Sequence, residues 1–77
     1  MITVLKSLPS TGVEVVIPYN TTTATIIQNL SEDYTLWSAT SGGNAWNMLY
    51  PKDFIRVDFD VFMKSPNKQV RSVCITQ

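Results

Sequence analysis

Histidine is absent from this 77-residue chain, and cysteine occurs once, at Cys74. The first absence removes the usual base and proton shuttle, so Ser-His-Asp and Cys-His arrangements are excluded. A lone thiol excludes an intrachain disulfide and cannot build a zinc site. Neither G-x-x-x-x-G-K-[ST] nor G-x-G-x-x-G occurs, so no phosphate cradle is encoded. No cofactor and no metal are therefore expected, and no catalytic residue is assigned. Charge is equally spare. Six basic and six acidic residues give a net charge of zero, which argues against nucleic-acid binding and against a polybasic membrane anchor. No apolar run is long enough to span a bilayer. The opening MITVLKSLPSTG has no basic region followed by a long apolar one, so no secretory signal is expected and synthesis in a cytoplasm is. Without secretion, the patterns Asn20-Thr21-Thr22 and Asn29-Leu30-Ser31 are chance matches to the glycosylation signal.

Amphipathic helix is also missing. No stretch of helical length carries apolar residues at i, i+3, i+4 spacing. The one helical candidate, residues 31–37, is rich in aromatic and β-branched residues that favour strand. What the chain has is alternation. Ile55, Val57, Phe59, Val61 and Met63 are separated by Arg56, Asp58, Asp60 and Phe62, a period of two. A single strand of that length is long for so small a domain, so a bend is expected near Asp58-Phe59-Asp60. It would carry one inward face from one sheet to another. Further strands are expected over residues 2–5, 13–17, 23–28, 34–40, 46–50 and 70–76. Turn chemistry separates them: Pro9 with Gly12, Pro18-Tyr19-Asn20, residues 29–33, Ser41-Gly42-Gly43-Asn44, Pro51-Lys52-Asp53 and Ser65-Pro66-Asn67-Lys68. Turns at this spacing imply one all-β domain over residues 1–77, a small antiparallel β-sandwich or partly open barrel of about six to eight short strands. So short a chain has a marginal core, and with no disulfide or metal the remaining support is assembly with other subunits.

Three groups of residues have candidate chemistry. Asp58 and Asp60, two apart, would lie about 7 Å from each other on one strand face, compatible with acid–base work on distance alone. No calcium-type loop surrounds them, and two solvated aspartates are the simpler reading. Cys74 has no base to activate it and reads as a buried, inert thiol. The aromatics are the more informative group. Trp37 and Trp46 bracket the Gly-Gly turn and can stack a sugar or pack a core. Phe62 falls on the otherwise polar face of the 55–63 alternation, and an exposed large aromatic marks a contact surface. Residues Phe62, Trp37, Trp46 and Tyr50, with Ile2 and Val4 of the first strand, are the expected protein contacts. The segment 1–5 is expected to add to the edge of a neighbour's sheet.

From about residue 24 onward the order of signals is I-Q-N-L-S (27–31), a strand at 34–39, and a short strand leading to Leu49-Tyr50-Pro51-Lys52-Asp53. I-R-V-D, V-F-M-K-S and V-R-S-V-C-I-T follow. This order resembles small β-sandwich modules of tailed-phage virions: capsid decoration proteins, head-fibre bases and tail adaptor domains. In those modules a turn L-x-P-G-(E/D) commonly leads an alternating strand; here Lys52 stands where glycine is usual. The resemblance implies an architectural protein and no enzyme, located in the virion. It would be a capsid decoration or head-associated subunit that binds a major capsid or other virion protein. It would form a homo-oligomer, a trimer being common in such families, and each contact would bury about 1,600 Å². Two other readings remain open. One is a carbohydrate- or receptor-binding module of a fibre or tail, with Trp37, Trp46 and Asn44 lining a shallow site. The other is a phage-encoded inhibitor that occludes a host enzyme.

Overall fold

The computed structural model describes residues 2–42 and 45–77. Its eight strands are β1 (Thr3–Leu8), β2 (Val15–Ile17), β3 (Thr25–Asn29), β4 (Thr35–Ser38), β5 (Asn47–Leu49), β6 (Phe54–Val57), β7 (Val61–Lys64) and β8 (Arg71–Thr76). No helix occurs among the described residues. Every expected strand is present, most of them a residue or two shorter because the flanking turns begin early. β1 is the exception: it runs on to Leu8, whose partner is Arg71 of β8. Of the expected Gly-rich turn, Gly43 and Asn44 lie outside the described residues, as does Met1 of the expected contact segment.

The strands form two antiparallel four-stranded sheets, in the orders β1-β8-β3-β6 and β2-β7-β4-β5. The pairs β1·β8, β2·β7, β3·β6 and β4·β5 nest inside one another around the β4–β5 connection. The pairs β3·β8 and β4·β7 then complete the two sheets. This is the connectivity of a jelly roll, a sandwich made by folding one long hairpin over on itself. Every connection except β4–β5 crosses from one sheet to the other.

The crossing from β6 to β7 shows why the alternation survives it. Residues 58–60 form the bend, and strand on either side keeps the same parity. Val57, Val61 and Met63 are buried and Ile55 packs against them, while Phe59 at the corner is exposed. The core between the sheets is completed by Leu8, Ile17, Ile27, Leu49, Val73 and Ile75.

One end of the sandwich is closed by polar side chains, which the alternation gives no sign of. Asn29, at the end of β3, is fully buried. Its amide donates to the carbonyls of Leu49 (2.8 Å) and Asp33 (2.9 Å), and its side-chain oxygen accepts from the Ser31 N–H (2.8 Å). Arg71, buried at the start of β8, donates from Nε to the Tyr34 carbonyl (2.9 Å). Its remaining nitrogens donate to Gln69 (3.3 Å) and Asn67 (2.7 Å), and its guanidinium lies 3.4 Å from the Asp33 carboxylate. Thr35 donates to the Lys64 carbonyl at 2.9 Å. These bonds satisfy the strand-end carbonyls of Leu49 and Lys64 and the loop carbonyls of Asp33 and Tyr34. Burial of Asn29 also agrees with the chance reading of its glycosylation pattern.

The turn between β5 and β6 explains the lysine that stands where glycine is usual. The Asp53 N–H donates to the Tyr50 carbonyl at 3.0 Å, with Pro51 and Lys52 between them. Lys52 has φ 71°, the left-handed conformation that the third position of a type II turn demands. Only backbone groups of Lys52 are engaged: its N–H donates to the Asn29 carbonyl (2.9 Å), and its carbonyl accepts from Gln28 (3.0 Å).

Two outcomes follow for urea unfolding. Asn29→Ala strands one buried donor and two carbonyls, so it is expected to cost about 2–3 kcal/mol. That is a fall of about 2–3 M in midpoint at an m-value of ~1 kcal/mol/M. An unchanged midpoint would contradict the closure described. Lys52→Gly relieves the left-handed strain of about 1 kcal/mol and returns part of it as unfolded-chain freedom. A net gain of about 0.5 kcal/mol is expected, and a lower melting temperature would contradict it.

Candidate functional site

Register decides which residues reach the surface together. On the first sheet, Leu5 lies opposite Cys74, Cys74 opposite Gln28, and Gln28 opposite Phe54. The next row outward is Thr3, Thr76, Ile26 and Arg56. Both rows point away from the core, because the alternate residues Val73, Ile75 and Ile27 point into it. Directly opposite side chains stand about 4.5–5.5 Å apart, so the two rows form a continuous surface. Apolar and polar residues share it, and its two exposed large apolar side chains are Leu5 (73% exposed) and Phe54 (64%). A shallow groove of about 360 Å³ lies beside Phe54, lined by Ile26, Gln28, Phe54, Cys74 and Thr76.

The outer face of the second sheet is arranged differently. It carries Val16, Phe62, Leu36, Lys64 and Met48, and the β4–β5 connection is tied down over it. The Glu14 carboxylate accepts from the Gly42 N–H (2.8 Å) and from the Ser41 hydroxyl (3.5 Å). On the other side of the connection, the Lys64 ammonium sits 4.2 Å from the centre of the Trp46 ring, a cation–π distance. Glu14 and Lys64 both belong to the outward parity of β2 and β7, so these anchors hold the connection against that face. Phe62 is half-buried and Ser38 fully so, although both have outward parity.

The expected contact residues therefore separate. Ile2 (68% exposed) and Val4 (49%) lie on the β1 edge and Tyr50 is exposed beside β5. Phe62 and Trp46 are half-buried on the second sheet's outer face. Trp37 points inward and packs against the core. It pairs with Asn47, one residue from Trp46, so the two tryptophans face opposite sides of the sheet and share no platform. Asn44 lies outside the described residues. Cys74 corrects the expectation of a buried thiol: it is half-buried on the exterior face, because Val73 and Ile75 take the inward positions of β8. Asp58 and Asp60 are exposed at the bend, where Asp60 accepts from the Tyr19 N–H at 2.6 Å. Among the described residues no group of three or more His, Cys, Asp or Glu is placed to hold a metal.

Leu5 falls within the expected contact segment 1–5, whereas Ile26 and Phe54 are the surface residues that sequence reasoning passed over. In T-I-I-Q-N and V-R-S-V-C-I-T apolar residues occupy both parities, so alternation alone does not say which one is outward.

The surface also has an open edge. β1 borders the first sheet and pairs only with β8. Ile2 exchanges both backbone bonds with Gln77 (2.6 and 2.8 Å), which makes 2·77 a hydrogen-bonded pair. The register holds without a bulge to Leu8·Arg71. By the alternation of antiparallel ladders, Val4, Lys6 and Leu8 then also point their backbone groups at β8. Thr3, Leu5 and Ser7 point theirs outward, and all three are exposed.

Because Phe54 lies on this surface outside the core, Phe54→Ser is expected to leave stability within about 0.5 kcal/mol, whereas Ile27→Ala costs about 2–5 kcal/mol. The same Phe54 change should reduce retention on a hydrophobic-interaction column. Equal destabilisation by both changes would mean that the face is covered. Comparison with known protein families, curated proteins and solved structures finds no match to this chain.

Proposed function

We propose that the chain is a virion structural protein, a capsid decoration or head-associated subunit that acts by contact and not by chemistry. The observation that carries this reading is the pair of exposed apolar side chains, Leu5 and Phe54, on the first sheet's outer face, continuous with the open β1 edge. In a monomer of this size such a face is a liability, and in a particle it is an area for docking. The jelly-roll connectivity supports the same class by analogy, since capsid and lectin domains recur on it. Its partner would be a major capsid or other virion protein, with a homo-oligomer as the assembling unit. Leu5, Phe54 and Ile26 would contact the lattice, with Ile2 and Val4 at its margin. The separated tryptophans leave the sugar-binding reading without its platform.

Mixing the purified chain with purified phage capsids tests this. Saturable co-sedimentation is expected, with Phe54→Asp weakening it by at least about tenfold, the value of ~1.4 kcal/mol at a contact hot spot. Failure of the chain to bind any capsid at micromolar concentration, or binding indifferent to Phe54→Asp, would end the proposal.

A further inference from the structure

The β1 edge is self-complementary, and we infer that it pairs antiparallel with the β1 edge of a second copy about a two-fold axis centred on Leu5. This deepens the assembly reading above by naming one partner and one register. The outward backbone groups are those of Thr3, Leu5 and Ser7, evenly spaced about Leu5. An antiparallel register that sets Leu5 against Leu5 of the second copy also sets Thr3 against Ser7 and Ser7 against Thr3. All three outward N–H groups and all three carbonyls then find partners, six bonds in a closed isologous contact.

Neighbouring registers do worse. Centring the axis on Val4 pairs Thr3 with Leu5 in both directions and sets Ser7 opposite position 1, so only four bonds fall among Thr3, Leu5 and Ser7. Centring it on Lys6 sets two like charges directly opposite each other, which is destabilising in a ladder. Lys6 is the only charge on β1, so it acts as a register selector. In the Leu5-centred register it faces Val4 instead, and Ile2 faces Leu8. The side chains on the outward face are Thr3, Leu5 and Ser7, with no charge among them. Leu5, the most exposed large apolar residue in the described chain, meets its own copy.

A perpendicular two-fold keeps both outer faces on one side. Two four-stranded sheets become one eight-stranded sheet, and the two bare surfaces join into a single platform. A three-fold ring, by contrast, needs two different complementary surfaces on each subunit.

Crosslinking tests the register with the chain alone. In a Cys74→Ser background, Leu5→Cys places two thiols on a hydrogen-bonded pair with Cα atoms about 5.5 Å apart, within disulfide reach. Mild oxidation should give a covalent dimer of about 17 kDa, twice the chain mass. Ser7→Cys in the same background should not crosslink to itself, but should crosslink to Thr3→Cys when the two are mixed. In light scattering, the unaltered chain should be a dimer and Leu5→Pro a monomer with an unchanged circular dichroism spectrum. Proline there removes an outward N–H and no internal bond. Three results would overturn the inference: an unaltered chain that stays monomeric at about 100 μM, a concentration far above a micromolar Kd; Ser7→Cys crosslinking as fast as Leu5→Cys; or a Leu5→Pro chain that folds and still dimerises. Paired chains that ignore capsids would sink the virion reading and leave this one standing. Unpaired chains that decorate capsids would do the opposite.

Discussion

The side-chain amide of Asn29 is the contact on which the architecture most depends. β3 lies between β8 and β6, and at its end the ladder must stop so that the chain can cross to the other sheet. Asn29 replaces the missing ladder bonds with three of its own, to Leu49, Asp33 and Ser31. Arg71 performs the matching task one strand away, binding the Tyr34 carbonyl and the turn that precedes β8. Strands of three to six residues have few backbone bonds each, so a large share of the loop carbonyls would otherwise be desolvated without partners. The apolar core sets the sheets face to face, and this polar closure fixes where each strand ends.

That division leaves the two outer surfaces with different fates. On the second sheet, Glu14 and Lys64 hold the β4–β5 connection down, so its aromatic residues are half-covered from within the chain. On the first sheet Leu5 and Phe54 stay open to solvent. A jelly roll has a built-in asymmetry of this kind, because only the β4–β5 connection stays within one sheet. The second sheet nonetheless keeps Val16 and Met48 exposed on its outer face, so both sheets present some apolar surface to solvent.

Much of the fold was legible in the residues. The alternation from Ile55 to Met63, the bend at Asp58-Phe59-Asp60 and the preserved parity across it follow from period and length. Proline and glycine marked nearly every turn, whereas the left-handed conformation of Lys52 had no sign in its residue type. The surface was harder to read. Phe62 stands out in sequence as an aromatic among polar neighbours, yet it is half-buried on its sheet between Val16 of β2 and Ser38 of β4, strands far from it in the chain. Trp37 and Trp46 look like partners across a turn, and only the register of Trp37 with Asn47 shows that they face opposite ways. Asn29 and Arg71 gave no local signal, because a buried amide or guanidinium is defined by distant carbonyls.

The nested strand pairing also bears on how the molecule is made. Trp37 and Asn47 are close in sequence, whereas Ile2 and Gln77 are separated by nearly the whole chain. Closing the second span from an open chain costs about 2 kcal/mol more in entropy than closing the first. Each inner pair shortens the effective span of the next, so an inside-out sequence of closure is favoured and the β1·β8 ladder forms last. Until it does, Thr3, Leu5 and Ser7 belong to a loose tail with no defined edge. The edge used in the proposed pairing would thus come into being only with the final step of folding, which would keep unfinished chains out of it.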